Sequence, residues 1–469
     1  MQINAVQPRG IAVVDVGYTN TKVILFAPDL RILAERKIDS PHRKREPYNI
    51  IDVEPMLDFF AVALQELDAI ASIDRIVTSA HGACIVSLKA DGSLAVPIMD
   101  YMSKPPESIV AAYRQVCPPY AEVYSPLLPL ALTHAMQLFW QQRALPEDFA
   151  KTTTILPLMQ YVAMRLGGKA ATEISSMSCQ THLLDTNTGL PSTLSKAEGW
   201  ADKFAPRANA WDVIGELKSE LRGDQFRGRG LVLAGVHDSN ANYLRYLAGG
   251  MKHFTLLSTG TWIIAFNKDC DRHHLDSEKD TVVSVDVFGS PVACSRFFGG
   301  KEFEILSQGA SPEAATPADV VALIGRGTMA LPSFTDSGGP VPNSASRGQV
   351  VGNVQSPTEQ AALATLYCAL MVSEQLDAIQ SKGDIIVDGP FSQNGLFLSL
   401  LATLRTVQKV FSSTLRDGTA AGAACLALMP NGLLPHIDIE MTYHEPMSVN
   451  GLQAYQANWR QLANNGARP

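Results

Sequence analysis

The sequence predicts a mixed α/β protein built from two similar domains. The chain has 469 residues, which is more than one ordinary hydrophobic core accommodates. Short apolar strands alternate with segments of helical periodicity. A strand, a polar turn containing glycine and a returning strand occur near the start of each half, which favours duplication of a domain. We predict domains at residues 1–250 and 251–455, followed by a tail at 456–469.

The first half opens on a predicted antiparallel meander. Residues 11–14 form a continuously apolar strand, a polar corner covers residues 15–22, and further strands cover 23–26 and 32–38. Apolar residues at three- and four-residue intervals predict helices at the following positions: 56–67, 130–142 and 156–166. Residues 185–230 are rich in Gly, Ser, Thr, Pro and charge, so we expect irregular structure with short helices there.

The second half repeats the opening pattern and continues as alternating strands and helices. Strands at 254–257 and 262–266 flank a hydroxyl-rich glycine turn. The later predicted elements are a helix at 359–379, a strand at 385–387, a helix at 396–404, a strand at 407–411 and a helix at 419–428. The last of these helices is so rich in Ala and Gly that it either packs tightly on a sheet or admits a ligand. Beyond residue 452 we expect a terminal helix and then disorder.

Composition restricts the compartment and the class of partner. An apolar fraction of 46% with 18% charged residues indicates a folded globular protein. The net charge of −8 argues against nucleic acid or an anionic membrane as the main partner. The 7 cysteines are scattered without CxxC spacing, so we expect reduced thiols rather than zinc ligands or disulfides. With neither a signal peptide nor an apolar run of roughly 20 residues, we expect a cytoplasmic protein.

The first polar corner has the residue types of a phosphate and metal site. Asp15 ends a buried strand, where a rigidly held carboxylate suits Mg²⁺. Gly17 lets a phosphate approach the backbone, and Lys22 adds positive charge. Thr19 and Thr21 offer hydroxyl groups and N–H donors to a phosphate. The alternative is an ordinary hairpin in which Asp and Gly serve only the turn.

A second corner, at Gly260 and Thr261, resembles the first in composition. Two such corners, one per domain on either side of a cleft, suit a polyphosphate, because phosphoryl transfer requires positioned charge, a metal and aligned oxygens. The alternative for Gly260-Thr261 alone is a simple turn.

The remaining candidates would serve the acceptor substrate. Asp238 follows a buried strand and begins a helix, so it is either a general base for a substrate hydroxyl or only the helix N-cap. His237 precedes it and is a candidate for a hydrogen bond to a sugar. His81, Gly82 and Asp100 are further candidates for sugar hydroxyls; their alternatives are a buried histidine with satisfied partners and turn residues.

Together these residues resemble the FGGY family of carbohydrate kinases, within the actin/Hsp70/hexokinase-like ATPases. The resemblance covers residues 10–430 and rests on motifs that occur in the family's order: Asp15-x-Gly17-x-Thr19-x-x-Lys22, residues 156–173 with 183–185, Gly260-Thr261-Trp262, Gly389 with Asn394, and residues 418–424. The sequence departs from the family pattern in two places. Pro390 follows Gly389 where consecutive glycines are usual, and Ala80-His81-Gly82 fits the general frame of the sugar site without matching one specificity.

The resemblance implies a fold, cofactors and residue roles. The fold would be two duplicated ribonuclease-H-like domains, as in actin-like ATPases, and the cofactors ATP and Mg²⁺. Asp15 and Asp238 would lie at the metal, with Asp238 the catalytic base. Residues implied to contact the nucleotide and its phosphates are Gly17, Thr19, Asn20, Lys22, Gly260, Thr261, Gly389 and Asn394. His237, Trp262 and residues 299–303 look most like the rhamnulokinase and fuculokinase branch, which implies a ketose, deoxyketose or polyol as substrate.

Two alternatives use the same fold differently. One is an ATPase switch of the actin or Hsp70 kind that binds a protein partner, and the other is a sugar sensor that has lost catalysis. A homodimer is a further expectation.

Overall fold

A computed structural model describes residues 9–178, 180–337, 339–413 and 417–465. The chain divides into two compact units. The first contains the described residues up to Gly250 together with Val283–Pro291 and Asp417–Asp438, and the second contains the others. Both units are therefore discontinuous in sequence, unlike the uninterrupted domains 1–250 and 251–455 that we predicted. The predicted disorder at the end of the tail falls on residues 466–469, outside the described part of the chain.

The strands, in chain order, are β1 Ile11–Val16, β2 Asn20–Phe26, β3 Ile32–Asp39, β4 His42–Arg43, β5 Ile50–Ile51, β6 Arg75–Ala80, β7 Ile85–Leu88, β8 Thr154–Pro157, β9 Val213–Glu216, β10 Leu231–Leu233, β11 Val236–His237, β12 Phe254–Thr259, β13 Ile263–Asn267, β14 Thr281–Val285, β15 Pro291–Phe297, β16 Met329–Leu331, β17 Gln349–Val351, β18 Asp384–Asp388, β19 Val410–Ser413 and β20 Thr442–His444.

The α-helices are α1 Val53–Asp68, α2 Glu107–Val116, α3 Tyr120–Val123, α4 His134–Ala144, α5 Pro146–Phe149, α6 Leu158–Leu166, α7 Ile174–Ser178, α8 Thr193–Ala197, α9 Ser219–Arg222, α10 Asp238–Ala248, α11 Gly299–Ser307, α12 Pro317–Arg326, α13 Pro357–Ala378, α14 Gly395–Leu404, α15 Gly418–Ala427 and α16 Leu452–Asn465. Short 3₁₀ turns lie at Ala201–Lys203, Arg272–His274, Ser277–Lys279, Pro312–Ala314, Pro390–Gln393 and Pro430–Gly432. Within the described ranges, no helix combines the length and the apolar character that crossing a membrane requires.

The sheet of the first unit confirms the predicted meander. Its order is β3-β2-β1-β6-β10-β9, with β11 also paired to β6. The first three strands are antiparallel neighbours, whereas β6 runs parallel to β1 and β10 parallel to β6. The sheet is covered on both faces, so β1 is apolar at successive positions. Ile11 and Val13 belong to one core cluster with α10 and α15, and Ala12 and Val14 to another with α1 and α6.

The sheet of the second unit repeats this arrangement. Its order is β14-β15-β13-β12-β18-β19-β20. Strands β15, β13 and β12 are antiparallel neighbours, and β18 and β19 then continue parallel to β12. Three antiparallel strands followed by parallel ones therefore occur in the same order in both units, which confirms the duplicated α/β fold class.

Helix α15 completes the core of the first unit, which is why the predicted uninterrupted boundary differs from the structure. Its small residues let it approach α10 so closely that a Cβ at Gly422 would lie 1.9 Å from the carbonyl oxygen of Ala241. Ala420 and Ala424 are buried in the cluster that contains Ile11 and Val13. Of the two predictions for this helix, tight packing is therefore confirmed.

We expect Gly422→Ala to lower the free energy of unfolding by about 1–3 kcal/mol, because the added methyl group forces the two helices apart. Thermal or urea unfolding measures the change. Gly395→Ala is the matched control: Gly395 also lies in a helix, but a Cβ there meets nothing within 4 Å. Alanine favours helix, so this control is expected to be neutral or slightly stabilising. Equal stability of both variants would contradict the close approach of α15 to α10.

Several predicted elements have different bounds in the structure. Residues 130–133 precede α4 rather than belonging to it, and Leu130 has a φ of 56°. The predicted strand at 407–411 is wrong at its start, because the Val407 side chain is 93% exposed and β19 begins at Val410. Residues 213–216, predicted to be irregular, form the edge strand β9 by pairing with β10.

Candidate active site

Three candidate residues lie at one edge of the sheet of the first unit. Asp15 is near the end of β1, His81 follows β6, and Asp238 follows β11. The register pairs Asp15 with Ser79, and Ser79 in turn with Val236. Because β1, β6 and β11 run parallel, their carboxyl ends meet at this edge, which is where open α/β sheets bind ligands.

Negative charge accumulates around Asp15. Burial, together with the carboxylates of Asp238 and Asp417, raises the pKa of Asp15 to about 7, although the ammonium group of Lys22 opposes this shift. Lys22 Nζ lies 2.5 Å from Oδ1 of Asp417, and both side chains are largely buried. One lysine thus faces three carboxylates, an arrangement that favours binding of a cation.

The carboxylates fit a magnesium ion that arrives with a nucleotide. In phosphoryl-transfer sites Mg²⁺ is usually held by one or two carboxylates, and water and phosphate oxygens complete its coordination. No group of three or more His, Cys, Asp or Glu side chains in the described ranges is arranged to hold a metal by itself. Asp15 and Asp238 would therefore be the two protein ligands, and phosphate would supply others.

The hairpin between β1 and β2 is held by its backbone. The N–H of Gly17 donates to the carbonyl of Asn20 over 3.0 Å. Glycine is required at position 17 because a Cβ would lie 2.8 Å from that carbonyl oxygen. Thr19 at the tip is exposed, whereas Thr21 is buried and its hydroxyl lies 2.9 Å from that of Ser40. Thr19, unlike Thr21, is accessible to a phosphate.

Asp238 is not the N-cap of its helix, so the capping alternative is wrong. Helix α10 begins at Asp238 itself, with His237 at the N-cap position and no side-chain cap bond. Asp238 Oδ1 lies 3.1 Å from Nε2 of His237 and accepts the N–H of Ser239 over 2.5 Å. Although burial raises it, attraction to and hydrogen bonding with His237 hold the pKa of Asp238 below its ordinary value. The side chain is 32% exposed, so an ionised carboxylate is accessible here.

Gly82 and His81 shape the space beside this carboxylate. A Cβ at Gly82 would lie 2.2 Å from Nε2 of His237, so only glycine admits that ring. Burial lowers the pKa of His81 to about 4, which makes its imidazole neutral at physiological pH. Nδ1 of His81 is buried and has no hydrogen-bond partner among the described residues. A substrate hydroxyl is a group that can satisfy it.

Asp100 lies in a polar and aromatic cluster that the sequence analysis did not identify. Its Oδ2 lies 2.9 Å from Nδ1 of His42 and 3.4 Å from the hydroxyl of Tyr18. Its Oδ1 accepts the N–H of Met102 over 2.9 Å. The rings of Tyr18 and Tyr101 are 4.8 Å apart. Asp100 therefore organises Tyr18 and His42 beside His81, in addition to any contact with a sugar.

In the second unit, Gly260 and Thr261 follow β12 as predicted. The N–H of Gly260 donates to the carbonyl of Trp262 over 2.8 Å, and the N–H of Gly300 donates to that of Thr261 over 3.1 Å. A Cβ at Gly300 would lie 2.2 Å from the carbonyl oxygen of Gly260. Thr261 is exposed. The corner thus rests on the start of α11 and leaves the Thr261 hydroxyl accessible.

Gly389 follows β18 at the same edge of the second sheet. It has a φ of 89°, and a Cβ there would lie 2.0 Å from the carbonyl oxygen of Thr259. Pro390 begins a 3₁₀ turn, a position that needs no N–H donor, so its departure from the family pattern is accommodated. Asn394 is the N-cap of α14, where its side-chain oxygen accepts the N–H of Phe397 over 3.0 Å. Its predicted contact with adenosine must therefore coexist with this cap.

Comparison with known proteins identifies the family. The sequence model of the family described as carbohydrate kinase FGGY, C-terminal domain, matches residues 251–435. The crystal structure of a carbohydrate kinase from Novosphingobium aromaticivorans is similar over 99% of this chain and 100% of that chain, with 32% identity and a TM-score of 0.87. The chain belongs to the FGGY family of carbohydrate kinases. Members of this family are phosphotransferases.

Two further proteins are similar to this chain over different lengths. A rhamnulokinase from Ligilactobacillus salivarius (strain UCC118) is 31% identical over 129 residues, which is 27% of this chain and 26% of that protein. The matched stretch thus spans about a quarter of the length of that curated relative. A xylulose kinase from Rhodospirillum rubrum has 17% identity and a TM-score of 0.79, covering 98% of both chains, and supports the fold alone.

Asp417 is the main residue of this candidate site that the sequence analysis missed. It directly precedes the small-residue helix α15 and has a φ of 59°. The position of a carboxylate immediately before Gly418-Thr419 could have marked Asp417 as a candidate. No local pattern, however, indicates that it forms an ion pair with Lys22, which lies far away in sequence. Trp140 is buried against Tyr48 with ring centroids 5.5 Å apart, so it belongs to the core rather than to this candidate site.

Proposed function

We propose that this chain transfers the γ-phosphoryl group of ATP to a hydroxyl of a small neutral sugar: a ketose, a deoxyketose or a polyol. The observation that carries the proposal is Asp238, a partly exposed carboxylate with a lowered pKa at the same sheet edge as Asp15. A carboxylate that stays ionised at neutral pH can accept the hydroxyl proton as the oxygen attacks phosphorus.

The residues of the first unit would bind the metal ion and the phosphate groups. Asp15 and Asp238 would hold Mg²⁺, which when bound neutralises charge on the phosphate oxygens. Thr19, Asn20 and the Gly17 backbone would contact phosphate. Lys22 would exchange part of its contact with Asp417 for a phosphate oxygen.

His81, Gly82 and Asp100 would form the sugar site. The unpartnered Nδ1 of His81 supports a sugar hydroxyl there, and the exposed tip at Thr19 supports access for phosphate. In the second unit, Gly260, Thr261, Gly389 and Asn394 would bind the nucleotide, as the family resemblance implies.

A coupled assay of ADP release tests the proposal. With ATP, Mg²⁺ and a panel of ketoses, deoxyketoses and polyols, we expect turnover at roughly 1–100 s⁻¹ with at least one sugar and much slower release without sugar. ADP release at the same rate with and without every sugar would contradict the proposal in favour of an ATPase switch. Sugar binding by calorimetry without any turnover would indicate a sensor.

The rhamnulokinase branch gives the first sugars to test. The match of 31% identity over 129 residues supports L-rhamnulose-like deoxyketoses ahead of other classes. We also propose that the chain forms a homodimer, which light scattering tests, and that it is located in the cytoplasm, which cell fractionation tests.

A further inference from the structure

Three side chains form a hydrogen-bonded series that ends on Asp238. The amide nitrogen Nδ2 of Asn240 lies 3.0 Å from Nδ1 of His237. On the other side of the ring, Nε2 of His237 lies 3.1 Å from Oδ1 of Asp238. Nδ2 of Asn240 also donates to the hydroxyl of Ser284 over 3.2 Å. Asn240 and His237 are buried, at 2% and 5% exposure, so water does not replace these contacts.

The chemistry of the partners decides which ring nitrogen carries the proton. An ionised carboxylate only accepts hydrogen bonds, so the nitrogen facing Asp238 must donate. A neutral imidazole has one N–H, so Nδ1 is then an acceptor and needs a donor, which the amide of Asn240 supplies. The opposite amide orientation would present an oxygen to Nδ1, and a ring with a single proton would not satisfy both neighbours.

The ring is also confined sterically. A Cβ at Gly82 would lie 2.2 Å from Nε2 and 2.3 Å from Cδ2 of His237, so the imidazole packs directly against the Gly82 backbone. With Asn240 behind it and Gly82 beside it, the ring has little room to rotate away from Asp238.

We infer that Asn240 is a positioning residue for the proposed phosphorylation. It holds His237 in the tautomer whose Nε2–H donates to Oδ1 of Asp238. The N–H and hydroxyl of Ser239 reach the same oxygen, over 2.5 Å and 3.1 Å. All three donors lie on Oδ1, which leaves Oδ2 to face Mg²⁺ and the substrate hydroxyl. His237 then orients the base, a role that both its ring contacts favour over the predicted contact with the sugar.

This inference rests on the proposed role of Asp238, but its first test does not require catalysis. In protein labelled with ¹⁵N-histidine, the His237 signals are assigned by their loss in His237→Gln. In the unsubstituted protein at neutral pH we expect Nε2 to carry the proton and Nδ1 to be bare. A proton on Nδ1 would overturn the inference, whether or not the variants at position 240 fold.

Variants at position 240 supply the second test. Asn240→Asp is nearly isosteric and places an acceptor at Nδ1, so we expect the His237 Nδ1 signal to become that of a protonated nitrogen. Asn240→Leu removes the donor, and the Nδ1 signal should lose its hydrogen-bond shift. Asn242→Leu is the matched control, since Asn242 is equally buried on α10 and the His237 ring contacts Asn240 instead. Unchanged His237 signals in both Asn240 variants would overturn the inference.

Kinetics then separate positioning from general damage. For Asn240→Leu we expect kcat to fall roughly 10–100-fold, while KM for ATP and for the sugar changes by no more than about twofold, because the base is misdirected but the substrates still bind. Equal losses in Asn242→Leu would overturn the inference. If NMR shows the proton on Nε2 of His237 but no sugar increases ADP release, the proposed function is wrong and the assignment of the His237 tautomer still holds.

Discussion

Replacement of Asp238 by asparagine is expected to lower kcat for sugar phosphorylation by roughly 10²–10⁴-fold and to leave binding of ATP without Mg²⁺ nearly unchanged. Asparagine keeps the size of the side chain but cannot take the hydroxyl proton. Because Asp238 is 32% exposed and does not cap α10, its loss should not destabilise the fold.

The measurement is steady-state kinetics with calorimetric titration of ATP without Mg²⁺ into the same variant. Asp224→Asn, an exposed loop substitution in the same unit, is the control and should behave like the unsubstituted chain. Turnover of Asp238→Asn within tenfold of the unsubstituted rate would rule out Asp238 as the base.

The second large effect is expected for Asp15→Asn, which should lower kcat/KM for MgATP by roughly 10²–10³-fold. The neutral amide weakens the attraction for a cation at the place where burial and the charges of Asp238 and Asp417 raise the pKa of Asp15 to about 7. The neutral amide also removes the electrostatic repulsion between Asp15 and the carboxylates of Asp238 and Asp417, so we expect the variant to stay folded and even to be more stable.

Titration of activity with Mg²⁺ checks the mechanism of this loss. We expect the half-saturating Mg²⁺ concentration to rise in Asp15→Asn and to stay constant in Asp29→Asn, an exposed position in the turn after β2. A variant of Asp15 that is fully active at the ordinary Mg²⁺ concentration would exclude Asp15 as a metal ligand.

The fold was predictable because its signals are local. A continuous apolar run such as β1 and the three- and four-residue spacing of apolar residues in α1 directly reflect which faces are buried. Where burial depends on distant partners, the prediction was wrong. Val407 is apolar but exposed, and β9 is a strand only because β10 offers it an edge.

The candidate site was predictable in part for the same reason. Asp15, His81 and Asp238 each follow a recognisable strand, so their meeting at one sheet edge follows from parallel pairing. The residues that shift the pKa values or fix the hydrogen bonds of these side chains are not marked by any local sequence pattern. Asp417 reaches Lys22 across almost the whole chain, and Asn240 looked like an ordinary first-turn residue of a helix.

The late position of α15 has a consequence for synthesis on the ribosome. Residues 9–250 emerge first, but the cluster containing Ile11, Val13 and Val77 is completed by residues 420–429. Until those residues leave the exit tunnel, the nascent chain exposes this apolar face and lacks the Asp417 partner of Lys22. The first unit to be translated thus cannot complete its core until nearly the whole chain has been made, and apolar surface exposed during that interval favours aggregation.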